Sequence, residues 1–290
     1  MQSAQGAGSD VEVIVVDDAS SDATADVCRS LPGIRWIRTE RNQKVAGARN
    51  LGILASTADY ISFLDDDDLR LPGSLDLQLA ALETRPEAGL VYGQALLEDQ
   101  SGTISDESPS PLKCPEGDVF WKLLEWNFIS CLTVVFRKAC LYKVGLLDSN
   151  LAGFDDWDLW IRIAELYPVI AVEEPVAVWR KASGGTQQGS SDLSRLFGAA
   201  GNVYENRWLS LPRAALAPKQ KRNEAMGRFF SRAANVVIWE AADALRAGEF
   251  RLAVDKLSVA FRLSPGSVSH PYMIRLLATS MFGFGASAKR

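Results

Sequence analysis

The chain has 290 residues, 47% apolar and 23% charged, with a formal net charge of −5, values of a globular protein long enough to bury a substantial core. Its single histidine, His270, lies near the C-terminus, which excludes a Ser-His-Asp relay, a Cys-His pair and any multi-histidine metal centre and leaves proton chemistry to carboxylates. Charge is uneven: residues 1–120 carry 21 acidic and 9 basic side chains, and residues 201–290 carry 6 acidic and 14 basic, so the front repels nucleic acid while the rear suits an anionic surface such as a phospholipid leaflet.

Residues 1–10 have neither the basic flank nor the apolar segment of a signal peptide. No run approaches the roughly 18 apolar residues of a membrane span, so a cytoplasmic address is expected. Residues 12–16 (EVIVV) are a β-branched apolar run stopped by Asp17 and Asp18, the pattern of a buried parallel-type strand. A helix over 21–31, a strand over 34–39 and a helix over 46–56 follow. A third apolar strand, 60–64 (YISFL), runs directly into Asp65, Asp66, Asp67 and Asp68. A helix over 73–84, a strand over 89–92 and a polar loop over 101–115 come next. Short helices at 118–126 and 137–143 flank an apolar strand at 131–136. Residues 156–166 (DWDLWIRIAEL) place Trp157, Trp160, Ile161 and Ala164 at core-facing helical spacing, and 169–179 read as strand. The rhythm of strand and helix predicts an α/β fold with a mostly parallel sheet. Beyond Gly184 the texture turns to Gly, Ser and Gln and then to helices, which sets a domain boundary near residue 200. Within the tail, residues 248–265 resemble the second half of one tetratricopeptide unit, a helical hairpin. The four cysteines, Cys28, Cys114, Cys131 and Cys140, lack C-x-x-C spacing and are expected to be reduced structural thiols.

The acids at strand ends fall where open α/β sheets bind ligands. Adjacent carboxylates at 65–68 repel unless solvent or a cation relieves them; the two readings are a solvated turn and a hard divalent ion that takes one or two carboxylates plus water and phosphate oxygens. The pair Asp17–Asp18 at a second strand end favours the latter. Asp155 and Asp156 open an amphipathic helix, where an acid caps the helix, acts as a general base kept ionised by the positive helix end, or does both. Lys44 and Arg49, between the acid-ended strands, are either surface charge or contacts for a diphosphate.

Four segments, VIVVDDASSDAT (13–24), ERNQKVAGARNLGI (40–53), ADYISFLDDDD (58–68) and GFDDWDLWIRIAEL (153–166), resemble the family 2 glycosyltransferases of the GT-A, Rossmann-like fold in order and spacing. The resemblance spans about residues 11–185. It implies a catalytic domain over 1–200 that binds a nucleotide-diphosphate sugar, a helical region over 201–290, and transfer of the sugar with inversion to an acceptor hydroxyl, on a glycan or lipid-linked glycan, in cell-surface polysaccharide synthesis. By position it implies donor contacts from Asp17, Asp18, Lys44, Arg49, Asp65 and Asp66, a Mn²⁺ or Mg²⁺ ion on Asp67 of the D-x-D motif, and Asp156 as catalytic base. The chain departs from the family twice. The strand and helix that usually precede residue 11 are replaced by ten residues, the pattern of an N-terminally truncated domain. The Arg-x-His found in many members reads Arg180-Lys181-Ala182 here, and Ala182 cannot ligate metal. The expected site is the cytoplasm, with peripheral attachment at the inner membrane face through Lys219, Lys221, Arg222, Arg228 and Arg232. The rival readings are a catalytically impaired nucleotide-sugar or partner-binding protein, and nucleotidyl transfer on a similar sheet.

Overall fold

The computed structural model describes residues 1–99, 101–105, 113–151, 153–180 and 192–282. In chain order it contains α1 (Gln2–Gln5), β1 (Val13–Asp17), α2 (Thr24–Ser30), β2 (Ile34–Arg38), α3 (Lys44–Ala55), β3 (Tyr60–Ser62), β4 (Leu69–Arg70), α4 (Ser74–Thr84), β5 (Leu90–Glu98), β6 (Ile104–Ser105), α5 (Phe120–Glu125), β7 (Val135–Arg137), α6 (Leu141–Val144), α7 (Asp155–Leu166) and β8 (Val169–Arg180). Helices follow: α8 (Leu193–Gly198), α9 (Ala200–Asn206), α10 (Pro212–Ala215), α11 (Lys219–Arg246), α12 (Phe250–Leu263), α13 (Pro265–Val268) and α14 (Pro271–Phe282). The residues form two compact units, Met1–Leu123 with Asn127–Gln187, and Leu124–Trp126 with Gln188–Arg290.

In the first unit the parallel rhythm read from the sequence describes β1–β2 and the pairing of β5 with β8. β3 and β5 meet β7 antiparallel, β4 meets β8 antiparallel and β6 folds back on β5, so the larger sheet, β3-β7-β5-β8-β4, is mixed. The segment 131–136, read as one strand, is broken: Cys131–Thr133 is a 3₁₀ turn. The cause is local, because the Thr133 backbone N–H and hydroxyl both donate to the Ser130 carbonyl, at 2.9 and 2.8 Å, and close a turn in competition with the sheet ladder. Residues 106–112 of the expected polar loop, and Lys181 and Ala182, lie outside the described residues.

Apolar side chains of β5, β7 and β8 (Val91, Val135, Ile170, Val176, Ala177) pack with Leu82 of α4 in one buried cluster. On the neighbouring helix α7, Trp157, Trp160, Ile161 and Ala164 are all buried, as the helical spacing predicts. Trp160 packs against Phe63 and Phe136, with ring centroids 6.4 and 5.8 Å away, and so holds the chain leaving β3 against α7. The C-terminal end of α7 lies so close to the start of β5 that a Cβ added at Gly89 would sit 2.7 Å from Tyr167 Cβ and 2.8 Å from Ile163 Cγ2. Gly89→Ala is therefore expected to destabilise the unit by about 1–3 kcal/mol, read as a lower urea midpoint at unchanged slope.

In the second unit α11 is a 28-residue helix. Its Phe229 lies at the centre of a ring cluster with Tyr204, Trp208 and Phe197, at 4.8, 5.8 and 6.2 Å. The turn after α11 contains Gly248 at φ 78°, a left-handed conformation that glycine adopts without strain, and α12 folds back to pack on α11 as a helical hairpin. Among the described residues no helix is long and apolar enough to cross a membrane. None of the four cysteines is in a disulfide.

Candidate functional site

The site is built from the C-terminal end of β1 outward. Asp17 ends the strand with its carboxylate buried. Oδ1 accepts from the Ser20 N–H at 2.8 Å and Oδ2 faces Arg38 at 3.4 Å. Burial would raise its pKa, but hydrogen bonds from Ser20 and the charge of Arg38 outweigh that and hold it below the ordinary value, so Asp17 is an anion. Asp18 turns toward the next helix: its Oδ1 accepts from the Gln43 N–H at 2.7 Å and the Thr39 hydroxyl at 3.0 Å, which anchors the N-terminus of α3 to the end of β1. Ala19 and Lys44, at φ 61° and 63°, are the positive-φ residues other than glycine among those described. Both flank this junction, and each conformation costs about 1–2 kcal/mol. Such strain collects at functional sites. Lys44 is exposed and its ammonium group has no protein partner among the described residues.

Arg49 lies on α3 roughly 8 Å along the axis from Lys44. Its guanidinium is largely buried, at 13% side-chain exposure, with Nη2 on Asp65 at 2.8 Å and Nη1 on Asp155 at 3.3 Å. It also lies 5.3 Å over the Phe63 ring. The neighbouring Asn50 donates to the Leu147 carbonyl at 2.8 Å and accepts from the Leu147 N–H at 3.0 Å. Arg162 of α7 holds the same loop through the carbonyls of Val144, Gly145 and Leu146 while pairing with the buried Asp158 at 2.8 Å. Asn50 and Arg162 together fix α3 against α7, and that places Arg49 between the two acidic segments.

The acidic loop after β3 divides its carboxylates. Asp65 is half exposed and paired with Arg49. The Asp66 and Asp67 carboxylates have no protein partner among the described residues. Asp68 is buried and accepts from the Arg180 N–H at 3.0 Å. Burial raises the Asp68 pKa to about 6, against that hydrogen bond, and the charges of Asp67 and Asp65 push the same way. The Arg180 guanidinium donates to the Asp67 carbonyl, so the end of β8 holds the loop. No three or more His, Cys, Asp or Glu side chains converge as a metal cage among the described residues. Two unpartnered hard-oxygen ligands do suit Mg²⁺ or Mn²⁺, which keeps most of its shell for water and phosphate oxygens.

At the N-terminus of α7, Asp155 is buried against Arg49 and Asp156 is half-buried, with its Oδ1 accepting from the Trp157 N–H at 2.6 Å. Burial is the largest influence on Asp156 and raises its pKa to about 6; Arg49 lowers it, Asp155 and Asp65 raise it, and the Trp157 N–H lowers it. That places it near the working range of a general base. Cys131, in the 3₁₀ turn, feels the charges of Arg49, Asp156, Asp65 and Asp155; burial raises its thiol pKa well above the ordinary value, so it remains a neutral thiol.

The structure thus gathers Arg49, Asp65, Asp155 and Asp156 into one cluster beside the middle of α3 and places Asp17, Asp18 and Lys44 at its N-terminal end, with Asp66 and Asp67 on the acidic loop. Arg49 contributes both guanidinium arms to carboxylates and so acts as a tie between segments as well as a cation near the acidic loop. Sequence reasoning missed Asn50, Arg162 and the use of Arg180. Most of their partners lie far along the chain, and the local signals are the asparagine that follows Arg49 in the ARN triplet and the i,i+4 spacing of Asp158 and Arg162.

Residues 2–141 match the family model described as Glycosyl transferase family 2. An uncharacterized glycosyltransferase of Haemophilus influenzae is 28% identical over 162 residues, 56% of this chain and 54% of its own length. The amylovoran biosynthesis glycosyltransferase AmsB of Erwinia amylovora is 27% identical over 199 residues, 64% of this chain and 66% of its own. The chain spans about half the length of the first of these relatives and less than a third of others. Among solved structures, S. aureus TarS superposes with a TM-score of 0.57 at 14% identity, over 96% of this chain and 51% of TarS. TarS residues 1–349 in complex with UDP-GlcNAc give 0.51 at 15% identity, over 92% of this chain and 87% of that one. At this identity the likeness carries the fold alone.

Proposed function

We propose that the chain is an inverting glycosyltransferase that moves a sugar from a nucleotide-diphosphate donor to an acceptor hydroxyl, with a divalent metal. The observation that carries this reading is the bridge from Asp65 through Arg49 to Asp155, which sets the half-buried Asp156 beside the donor-loop acids. Asp17 and Asp18 would face the nucleoside, Lys44 the diphosphate, and Asp65 and Asp66 the ribose and sugar. Asp67 would hold Mn²⁺ or Mg²⁺, which when bound neutralises charge building on the departing diphosphate. Asp156 takes the acceptor proton as the acceptor oxygen forms its bond to the anomeric carbon. The bond from that carbon to the diphosphate breaks on the opposite face, and the electron pair leaves with the nucleotide. A single displacement of this kind inverts the centre without a covalent sugar intermediate. The AmsB relationship supports a place in surface or exported polysaccharide synthesis, and the TarS complex supports a UDP-sugar such as UDP-GlcNAc as the first donor to try.

The test is release of UDP from UDP-sugars by the full chain with Mn²⁺ and a glycan acceptor. Asp67→Asn is expected to weaken the Mn²⁺ dependence and raise the donor KM by more than about tenfold, since a metal bridge to a diphosphate contributes more than about 1.4 kcal/mol. Nucleotide binding without turnover would turn the reading toward a non-catalytic nucleotide-sugar-binding protein. The pH profile adds a second check. The free-enzyme kcat/KM should rise about tenfold per pH unit below about 6 and level off above it, as Asp156 ionises. Its effect on stability has the opposite sign. The folded state holds this proton more tightly than the unfolded chain, so the contribution is full below about pH 4. It is lost as the pH rises through about 6.

Peripheral attachment to the inner membrane face belongs to the same proposal. Arg228 is committed to Glu125 at 2.5 Å, and Lys219, Arg222 and Arg232 would attract anionic headgroups. Reversing these three charges is expected to abolish co-sedimentation with phosphatidylglycerol vesicles. Unchanged co-sedimentation would end the idea.

A further inference from the structure

The second unit contains a cavity that the transfer chemistry leaves unused. Ser231, Asn235 and Trp239 recur every fourth residue on α11 and share one face. Beside that face a cavity of about 440 Å³ is lined by Ser231, Asn235, Ser264, Gly266, Ser267, His270, Tyr272 and Met273, with no Asp, Glu, Lys or Arg in its wall among the described residues. The serine hydroxyls form a chain: Ser267 Oγ to Ser264 Oγ at 3.1 Å and Ser264 Oγ to Ser231 Oγ at 3.3 Å. The Asn235 side-chain amide has no hydrogen-bond partner among the described residues. His270 Nδ1 accepts from the Tyr272 N–H at 3.3 Å, which leaves its Nε2 available. Tyr272 of the wall is 55% exposed, and the Trp239 ring, 41% exposed, lies next to it with ring centroids 6.4 Å apart. A Cβ at Gly266, in the wall, would meet nothing within 4 Å.

Each property narrows the ligand. A wall without cations does not select phosphate, nucleotide or carboxylate. Its serine and asparagine groups are too polar for an acyl chain. Hydroxyls and an amide that both donate and accept, beside two exposed aromatic rings that present apolar faces, match a ring with hydroxyls on its edge and C–H groups on its face. We propose that this cavity is a glycan subsite that takes one uncharged sugar residue, with Trp239 and Tyr272 against the C–H face and Asn235, the serines and His270 on the hydroxyls. The choice of an acceptor glycan as the source of that sugar rests on the transferase reading; the cavity itself does not.

The experiment uses the full chain and two independent titrations. Saturation-transfer NMR with methyl β-glucoside, methyl β-galactoside and methyl N-acetyl-β-glucosaminide probes the cavity, and calorimetry with UDP and Mn²⁺ probes the donor site. At least one glycoside is expected to receive saturation at millimolar concentration. Trp239→Ala and Asn235→Ala should each abolish it, while the circular dichroism melt and UDP binding of both variants stay at wild-type values. If no glycoside is saturated, or if saturation survives both substitutions, the subsite is refuted. Should either variant unfold, Tyr272→Phe and His270→Gln in the cavity wall replace it and are expected to weaken the signal; an unchanged signal in both refutes the subsite equally. Glycoside binding by a chain that binds no UDP would strike the transferase reading and leave the subsite standing.

Discussion

Asp156→Asn is expected to lower kcat for sugar transfer by about 10²–10⁴-fold, the range a positioned general base contributes, with donor affinity and melting temperature close to wild type. Asparagine keeps the shape and the oxygen that accepts from the Trp157 N–H at 2.6 Å, but it cannot take a proton. Because the folded protein favours the neutral form of this group, raising its pKa to about 6, removing the charge does not cost stability near neutral pH. The pH dependence below about 6 should flatten in the variant. A variant that transfers sugar at the wild-type rate would remove Asp156 from the mechanism. Steady-state UDP release across pH 5–8, at roughly saturating donor, makes the comparison.

Arg49→Met is expected to lower both stability and kcat. The guanidinium is 13% exposed and its partner Asp155 only 7%, so the substitution leaves a buried carboxylate without its counter-charge, a loss of about 3–5 kcal/mol. For a domain of this size that corresponds to a melting temperature lower by roughly 6–20 °C. The Asp65 pairing adds little to that figure, since Asp65 is half exposed and solvent screens exposed pairs. Adding Asp155→Asn to Arg49→Met should restore most of the stability without restoring kcat. The double variant removes the stranded charge but leaves α3, the donor loop and α7 without their common tie. A double-mutant cycle with additive effects would show that Arg49 and Asp155 do not act as a pair.

The strands and helices that carry this site were legible because burial writes itself into continuous apolar runs and helical spacing. The apolar run before Asp17 marks β1, although Val13–Val16 are only half-buried where a buried strand is expected, and Trp157, Trp160, Ile161 and Ala164 of α7 are buried together with Asp158, Leu159 and Ile163 on its other faces. The acids were legible for the same reason, since each group interrupts such a run at its end or start. Their partners were not. Arg49 and Asp155 are 106 residues apart, and Arg180 reaches back 113 residues to the Asp67 carbonyl. Pairs that distant have no periodicity to reveal them. The 3₁₀ turn at Cys131–Thr133 was hidden differently: the Ser130–Thr133 hydrogen bonds override an apolar stretch that favours strand by composition. The antiparallel joins of β3, β4, β6 and β7 depend on where the chain returns, which strands of two or three residues do not encode.

The lone imidazole of the chain, His270, lies at the cavity of the helical unit and none lies among residues 1–269. The first unit therefore has a silent background in the interval where histidine usually dominates titration. In a His270→Gln protein, protons taken up near pH 6 would come from carboxyl groups, Asp68 and Asp156 foremost. Infrared difference spectra of the carboxylic C=O stretch could then follow their ionisation directly, without isotope labelling to separate them from histidine.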